Sequence, residues 1–170
     1  VTRRSTTHAT FVIERTYDAS PARVFHAWAD PAAKAGWFAG TDECGDAPGW
    51  TEQHREQDFR VGGRERLRGG PPQGPVHAFD AIYQDIVPDQ RIVYSYDMHV
   101  GGTRISVSLA TVELEPDGAG TRLTFTEQSV FLDGADNRAD RERGTRDLLN
   151  SLDAALRRAS TSHHMTGRVQ

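Results

Sequence analysis

From residue 76 to residue 132 the chain reads as four strand-length segments in series, each parted from the next by a few turn-forming residues. The segments are 76–87 (VHAFDAIYQDIV), 91–99 (RIVYSYDMH), 103–115 (TRISVSLATVELE) and 121–132 (TRLTFTEQSVFL). Pro88-Asp89, Gly101-Gly102 and Pro116-Asp117-Gly118 separate them. These are hairpin spacings, so the sheet they form is antiparallel. Directly after it comes one long helical pattern, predicted over residues 138–159 and capped by Asp136 or Asn137. Its apolar stripe is Leu148, Leu149, Leu152, Ala155, Leu156 and Ala159 at helical spacing.

Upstream, residues 8–17 (HATFVIERTY) alternate and predict a first strand. Ser20-Pro21 and Asp30-Pro31 are each a helix cap followed by an N1 proline. They predict two short helices, the second ending near Trp37 and closed by Gly40. Residues 42–50 read as loop, 51–60 as a half-exposed strand, Gly62-Gly63 as a turn and 69–75 as a turn or flexible loop. The charged segment 64–69 reads as a short strand near an edge of the sheet, where its charges would discourage edge-to-edge pairing. Strands in series with helices gathered on one face define an α+β class. One domain is expected over residues 8–159, with disordered tails at 1–7 and 160–170. At 170 residues such a domain buries roughly 70% of its unfolded surface and needs no covalent staples.

Composition excludes several functions. The net charge of −4 and the pI near 6.0 give no electrostatic footprint for nucleic acid. Cys44 is the only cysteine, which excludes an internal disulfide and a multi-cysteine metal site; it reads as a bystander thiol in a loop. No apolar run approaches the length of a membrane span, and the N-terminal segment lacks the pattern of a signal peptide, so a cytoplasmic protein without membrane insertion is expected. Zinc-type spacings, a nucleophile elbow, a Walker loop and a dinucleotide fingerprint are missing, and neither metal nor cofactor is expected.

A sheet that grips one long helix does not always fill the space between them. The leucine-rich C-terminal half of the helix reads as core, whereas its N-terminal half presents Arg141, Gly144 and Thr145. A glycine inside a helix costs about 1 kcal/mol relative to alanine. Close packing, room for a guest or a frayed first turn would each account for Gly144. The aromatic set Trp37, Trp50, Phe59, Phe79, Tyr83, Tyr94, Tyr96 and Phe131 exceeds what a small core needs, and pockets for small molecules are lined mainly by such groups. The facing of Tyr83 stays open, because a bulge can fall beside it.

Among ionisable residues Glu127 shares strand parity with Leu123 and Phe125 and so points inward. Desolvation there would fit it for acid–base work; alternatively it opens to solvent or pairs with Arg141. His77 shares parity with Phe79 and Tyr83 and is a candidate base, or a structural histidine. Asp80 and Asp85 have opposite parity and do not form a carboxylate pair, and Asp97 and His99 are expected to point outward. His26 and His54 read as surface residues.

The segment from Tyr17 to Trp37 (YDASPARVFHAWADPAAKAGW) resembles the opening of the family related to activators of the heat-shock-protein-90 ATPase. That family lies within the START-like superfamily, also called SRPBCC or polyketide-cyclase-like. The turn Phe59-Arg60-Val61-Gly62-Gly63, the strand–proline–strand stretch Ala81 to Tyr96 and the final strand and helix from Thr121 to Leu156 resemble its further motifs. The resemblance covers about residues 8–158. It implies a helix-grip fold, a curved antiparallel sheet wrapped around the C-terminal helix with an apolar cavity between them. Relatives often carry a bulky aromatic after the helix glycine; Thr145 here leaves more space or a hydroxyl.

The function expected is binding of a small hydrophobic or aromatic molecule by Trp37, Phe38, Phe59, Phe79, Tyr83, Tyr94, Tyr96, Glu127, Phe131, Arg141 and Thr145. The alternative is a cyclase, dehydratase or hydrolase acting on a polyketide-like substrate, with Glu127 and His77 or Tyr96 as acid–base groups. A co-chaperone that stimulates an ATPase ranks last, because that activity in relatives accompanies an additional domain. A monomer or a homodimer is expected.

Overall fold

In the computed structural model the described residues are 3–38 and 49–165, the last three by backbone alone. Strand β1 (Thr6–Tyr17) leads into α1 (Pro21–Ala29) and α2 (Pro31–Ala35). Each short helix starts as its sequence dictates. Ser20 Oγ accepts from the Arg23 N–H at 3.3 Å, and Asp30 Oδ1 accepts from the Ala33 N–H at 2.8 Å. These caps satisfy amide donors that have no partner inside the helix. Helix α2 stops at Ala35 with Gly36 as its cap, earlier than expected. Gly40 and Cys44 lie outside the described residues.

Six strands follow: β2 (Thr51–Gln57), β3 (Arg64–Gly70), β4 (His77–Val87), β5 (Arg91–Val100), β6 (Thr103–Asp117) and β7 (Gly120–Leu132). All neighbours are antiparallel, and the spatial order is β1-β7-β6-β5-β4-β3-β2. The chain thus runs back and forth across the sheet from β2 to β7, and β1 closes beside β7. The result is an open, curved, seven-stranded sheet of the α+β class. The edges are β1 and β2, so β3 lies near an edge as expected but is paired on both sides, and its charges do not guard an open edge. One of those charges, Glu65, is 2% exposed and turns inward.

Helix α3 (Arg138–Met165) is capped by Asn137, whose Oδ1 accepts from the Asp140 N–H at 3.0 Å. It runs to Met165, so residues 160–165, expected in a disordered tail, continue the helix. At the other end Thr6 and Thr7 belong to β1, and the Arg4 side chain and Ser5 N–H bind Asp133 at 2.8 and 2.9 Å. From Leu149 to Leu156 α3 is core: Leu149, Leu152 and Leu156 are buried. Tyr17 donates its hydroxyl to the Leu149 carbonyl at 3.0 Å, and Arg23 donates to the Leu156 carbonyl at 3.0 Å. These bonds tie α3 to β1 and α1. The first turns of α3 reach the sheet through the Arg141 side chain, and the space beneath them is the site.

Candidate functional site

Along the inward face of β6 and β7 the residue type changes. Val112, Leu114, Leu123 and Phe125 are apolar and buried. Further along the same faces stand Ser106, Ser108, Glu127 and Ser129, equally buried. Buried polar groups must be bonded, and here one residue on α3 organises them. Arg141 Nη1 donates to Tyr96 Oη at 3.0 Å, Glu127 Oε1 at 3.2 Å and Ser108 Oγ at 3.3 Å. Its Nη2 donates to Ser106 Oγ at 2.6 Å and Asp136 Oδ2 at 2.5 Å. Its guanidinium carbon lies 5.7 Å from the Tyr96 ring centre and 5.5 Å from that of Phe131. Tyr96 Oη and Ser129 Oγ also donate to Glu127 Oε1, at 2.8 and 2.7 Å. Among the described residues every bond to Glu127 falls on Oε1, and Oε2 takes none.

This network forms one wall of a cavity of about 590 Å³ between the sheet and the first turns of α3. The remaining walls are mostly apolar: Trp28, Trp37, Phe38, Phe79, Tyr94 and Leu149 are all buried. Toward the start of α3 the lining passes to half-buried Val100 and Ile105 and then to exposed Ala135, Asp140 and Gly144, which marks the mouth. A Cβ built on Gly144 meets nothing within 4 Å. Close packing therefore does not account for this glycine; it borders open space. Thr145 is buried in the lining, and its hydroxyl donates back to the Arg141 carbonyl at 2.9 Å.

Of the residues the sequence singled out, Trp37, Phe38, Phe79, Tyr94, Tyr96, Glu127, Arg141, Thr145 and His77 line the cavity. Phe59, Tyr83 and Phe131 do not. Phe59 packs against Phe25 and Tyr83, with ring centres at 5.7 and 4.9 Å. The β4–β5 register shifts beside Tyr83, where a bulge had left its facing open, and the side chain turns inward but behind the cavity wall. Phe131 underlies Arg141. His77 is half-exposed with its ring 5.4 Å from Trp50, and no carboxylate orients it. The paired reading of Glu127 with Arg141 is the one observed.

Sequence reasoning missed Ser106 and Ser108. They share parity with Ala110, Val112 and Leu114, which is the signal that would have placed them inside. Val107 and Leu109 masked it, being 42% and 37% exposed on the outer face. Trp28, Leu67, Met98 and Phe125 in the lining were also not singled out. Two lining residues, Trp28 and Trp50, each bury an indole N–H that meets no acceptor among the described residues.

Behind the wall of Trp28 and Phe38 lies a second polar cluster. Lys34 Nζ is 2.6 Å from Glu65 Oε2, and Tyr83 Oη donates to the same oxygen at 2.5 Å. Gln57 bridges Tyr83 Oη and the Trp28 carbonyl at 3.0 and 2.9 Å. The Lys34 ammonium sits 4.4 Å from the Phe38 ring centre and 5.3 Å from that of Trp28.

Burial dominates the electrostatics. It pushes the Tyr94 and Tyr96 phenols above their ordinary range, and the negative charge of Glu127 adds to both shifts. It pulls the Lys34 ammonium down more than Glu65 raises it. Burial also lowers Arg141, but Tyr96, Glu127 and Asp136 outweigh it and hold the guanidinium firmly charged. On the outer face Asp80, Asp97 and His99 bring donor atoms within 4.8 Å of one another. Arg68 already grips both oxygens of Asp80 at 2.8 and 2.9 Å, and Arg104 lies 3.0 Å from Asp97. No helix among the described residues is long and apolar enough to cross a membrane.

Comparison with known proteins agrees with this architecture. An uncharacterized protein from Rhizobium leguminosarum superposes with a TM-score of 0.84 at 47% identity, covering 92% of this chain and 99% of its own. The Mll3558 protein from Rhizobium loti is 52% identical with a TM-score of 0.79, covering 89% and 99%. CalU16 from Micromonospora echinospora, at 18% identity and a TM-score of 0.59 over 91% and 85%, shares the fold. No protein among those with curated function matches. The family model described as Activator of Hsp90 ATPase homolog 1-like protein matches residues 18–157, and the chain belongs to that family.

Proposed function

We propose that this protein binds a small, largely hydrophobic or aromatic molecule in the cavity between the sheet and α3. The carrying observation is the cavity itself, about 590 Å³ with aromatic walls and a single organised polar wall. That volume lies inside the usual range for small-molecule sites, roughly 300–1,000 Å³. At about 30 Å³ per water it corresponds to on the order of 20 waters, a guest of comparable heavy-atom count. An apolar lining gains by exchanging such water for a guest, and the polar wall orients it.

The test is native mass spectrometry of freshly purified protein, with extraction of any co-purified species, and titration with the neutral fluorophore N-phenylnaphthylamine. A stoichiometric apolar guest, or saturable fluorescence enhancement, is expected. An empty protein that also leaves the fluorophore dark would refute the reading.

One observation favours a second reading. Glu127 lines the cavity beside Tyr96 with its described bonds all on Oε1, which leaves Oε2 available as a general base. Under this reading the protein is an enzyme acting on the bound molecule. A Glu127→Gln variant would then keep the guest and lose turnover; unchanged turnover would end the idea.

A further inference from the structure

The polar wall carries more acidic than basic side chains. The cavity lining holds three carboxylates, Glu127, Asp136 and Asp140, and one guanidinium, Arg141. Asp140 is paired outside the cavity with Arg143, leaving two carboxylates against one cation. That cation is already committed. Its two terminal nitrogens are bonded to five acceptors between them, and among the described residues only its Nε–H is left. Among the described residues no other arginine lines the cavity, and the only lysine, Lys34, is spent on Glu65 behind the wall. The vacancy on this wall is an acceptor, Glu127 Oε2.

We infer that the guest carries a hydrogen-bond donor, as a hydroxyl, an amine or an ammonium, directed at Glu127, and carries no anionic group. This deepens the binding reading above and rests on it. An anion would enter a low-dielectric space holding an excess negative charge, where unscreened repulsion is strong. A neutral donor satisfies Oε2, and a cation meets both that oxygen and the aromatic faces of Tyr96 and Phe79. Fatty acids, acyl phosphates and carboxylated aromatics are therefore poor guests.

The experiment is displacement of N-phenylnaphthylamine by three compounds that share one aromatic body: naphthol, naphthylmethylamine and naphthoate. Naphthol and the amine are expected to compete at least about tenfold more tightly than naphthoate. Asp136→Asn and Glu127→Gln, each checked for retained circular dichroism, should shrink that gap to within about threefold, since each removes the excess charge. Naphthoate competing as well as naphthol on the wild-type protein overturns the exclusion of anions while leaving the cavity reading intact. A gap unchanged in both folded variants overturns the assignment to this wall. Failure of the fluorophore itself to bind removes both readings.

Discussion

Lys34 and Glu65 are 1% and 2% exposed and separated by 2.6 Å, so neither charge has water to fall back on. Breaking a buried pair strands the surviving charge, at a cost of about 3–5 kcal/mol, whereas replacing both members is often close to neutral. Lys34→Met alone is expected to lose stability in that range, and Lys34→Met with Glu65→Gln to recover most of it. Urea denaturation of the two variants and of Glu65→Gln measures the coupling. Additive losses would mean that the pair is not the unit of stability. Neither partner was identified from the sequence: Glu65 sits among arginines in a segment that reads as solvent-facing, and Lys34 on a five-residue helix has no periodicity to betray its direction. Glu127 and Arg141 were legible because each occupies the apolar parity or stripe of a long element.

At the scale of elements, α3 divides into a stretch packed as core from Leu149 to Leu156 and first turns that roof the cavity. Gly144 lies in the roof, where an added Cβ meets nothing within 4 Å. Gly144→Ala should therefore raise stability by up to about 1 kcal/mol through helix propensity alone. Gly144→Phe should keep the fold while weakening N-phenylnaphthylamine binding, because the ring enters the guest's space. Thermal melts and fluorescence titration on the two variants check this; a destabilised alanine variant would show that the glycine serves packing after all. Strand and helix positions were legible wherever caps and turns punctuate the chain, as at Ser20-Pro21, Asp30-Pro31 and Gly101-Gly102. Lateral order was not. Nothing local marks β3 as interior, because β2 covers it only once the chain has turned back at Gly62-Gly63. The inversion of β6, with serines inside and Val107 and Leu109 outside, becomes intelligible only when α3 delivers Arg141 to those serines.

For the molecule as a whole, all four tyrosines are buried, at 1%, 1%, 4% and 8% exposure for Tyr17, Tyr83, Tyr94 and Tyr96. Burial holds each phenol above the ordinary value of 10.0. The folded state therefore keeps phenol protons that the unfolded state surrenders. Its contribution to stability is whole below pH 10.0 and is lost as pH rises toward the folded values. Lys34 works in the opposite sense, since it is held below 10.5 and its burden eases as pH climbs toward that value, but it is one group against four. Tyrosinate absorbance is expected to stay flat through pH 10.0 and then to rise in one step with loss of the helical dichroism. A broad titration centred on 10.0 in folded protein would contradict the burial of these rings.

The seclusion of Lys34 reaches beyond stability. It is the only lysine in the sequence, so the folded chain presents its surroundings with guanidinium groups and no accessible lysine amine. Acylation, glycation and the attachment of ubiquitin-like tags through lysine all lack a point of entry until the domain opens. The same residue then becomes reachable in a single event, so this protein carries in its own covalent structure a one-site marker of the molecules that have unfolded.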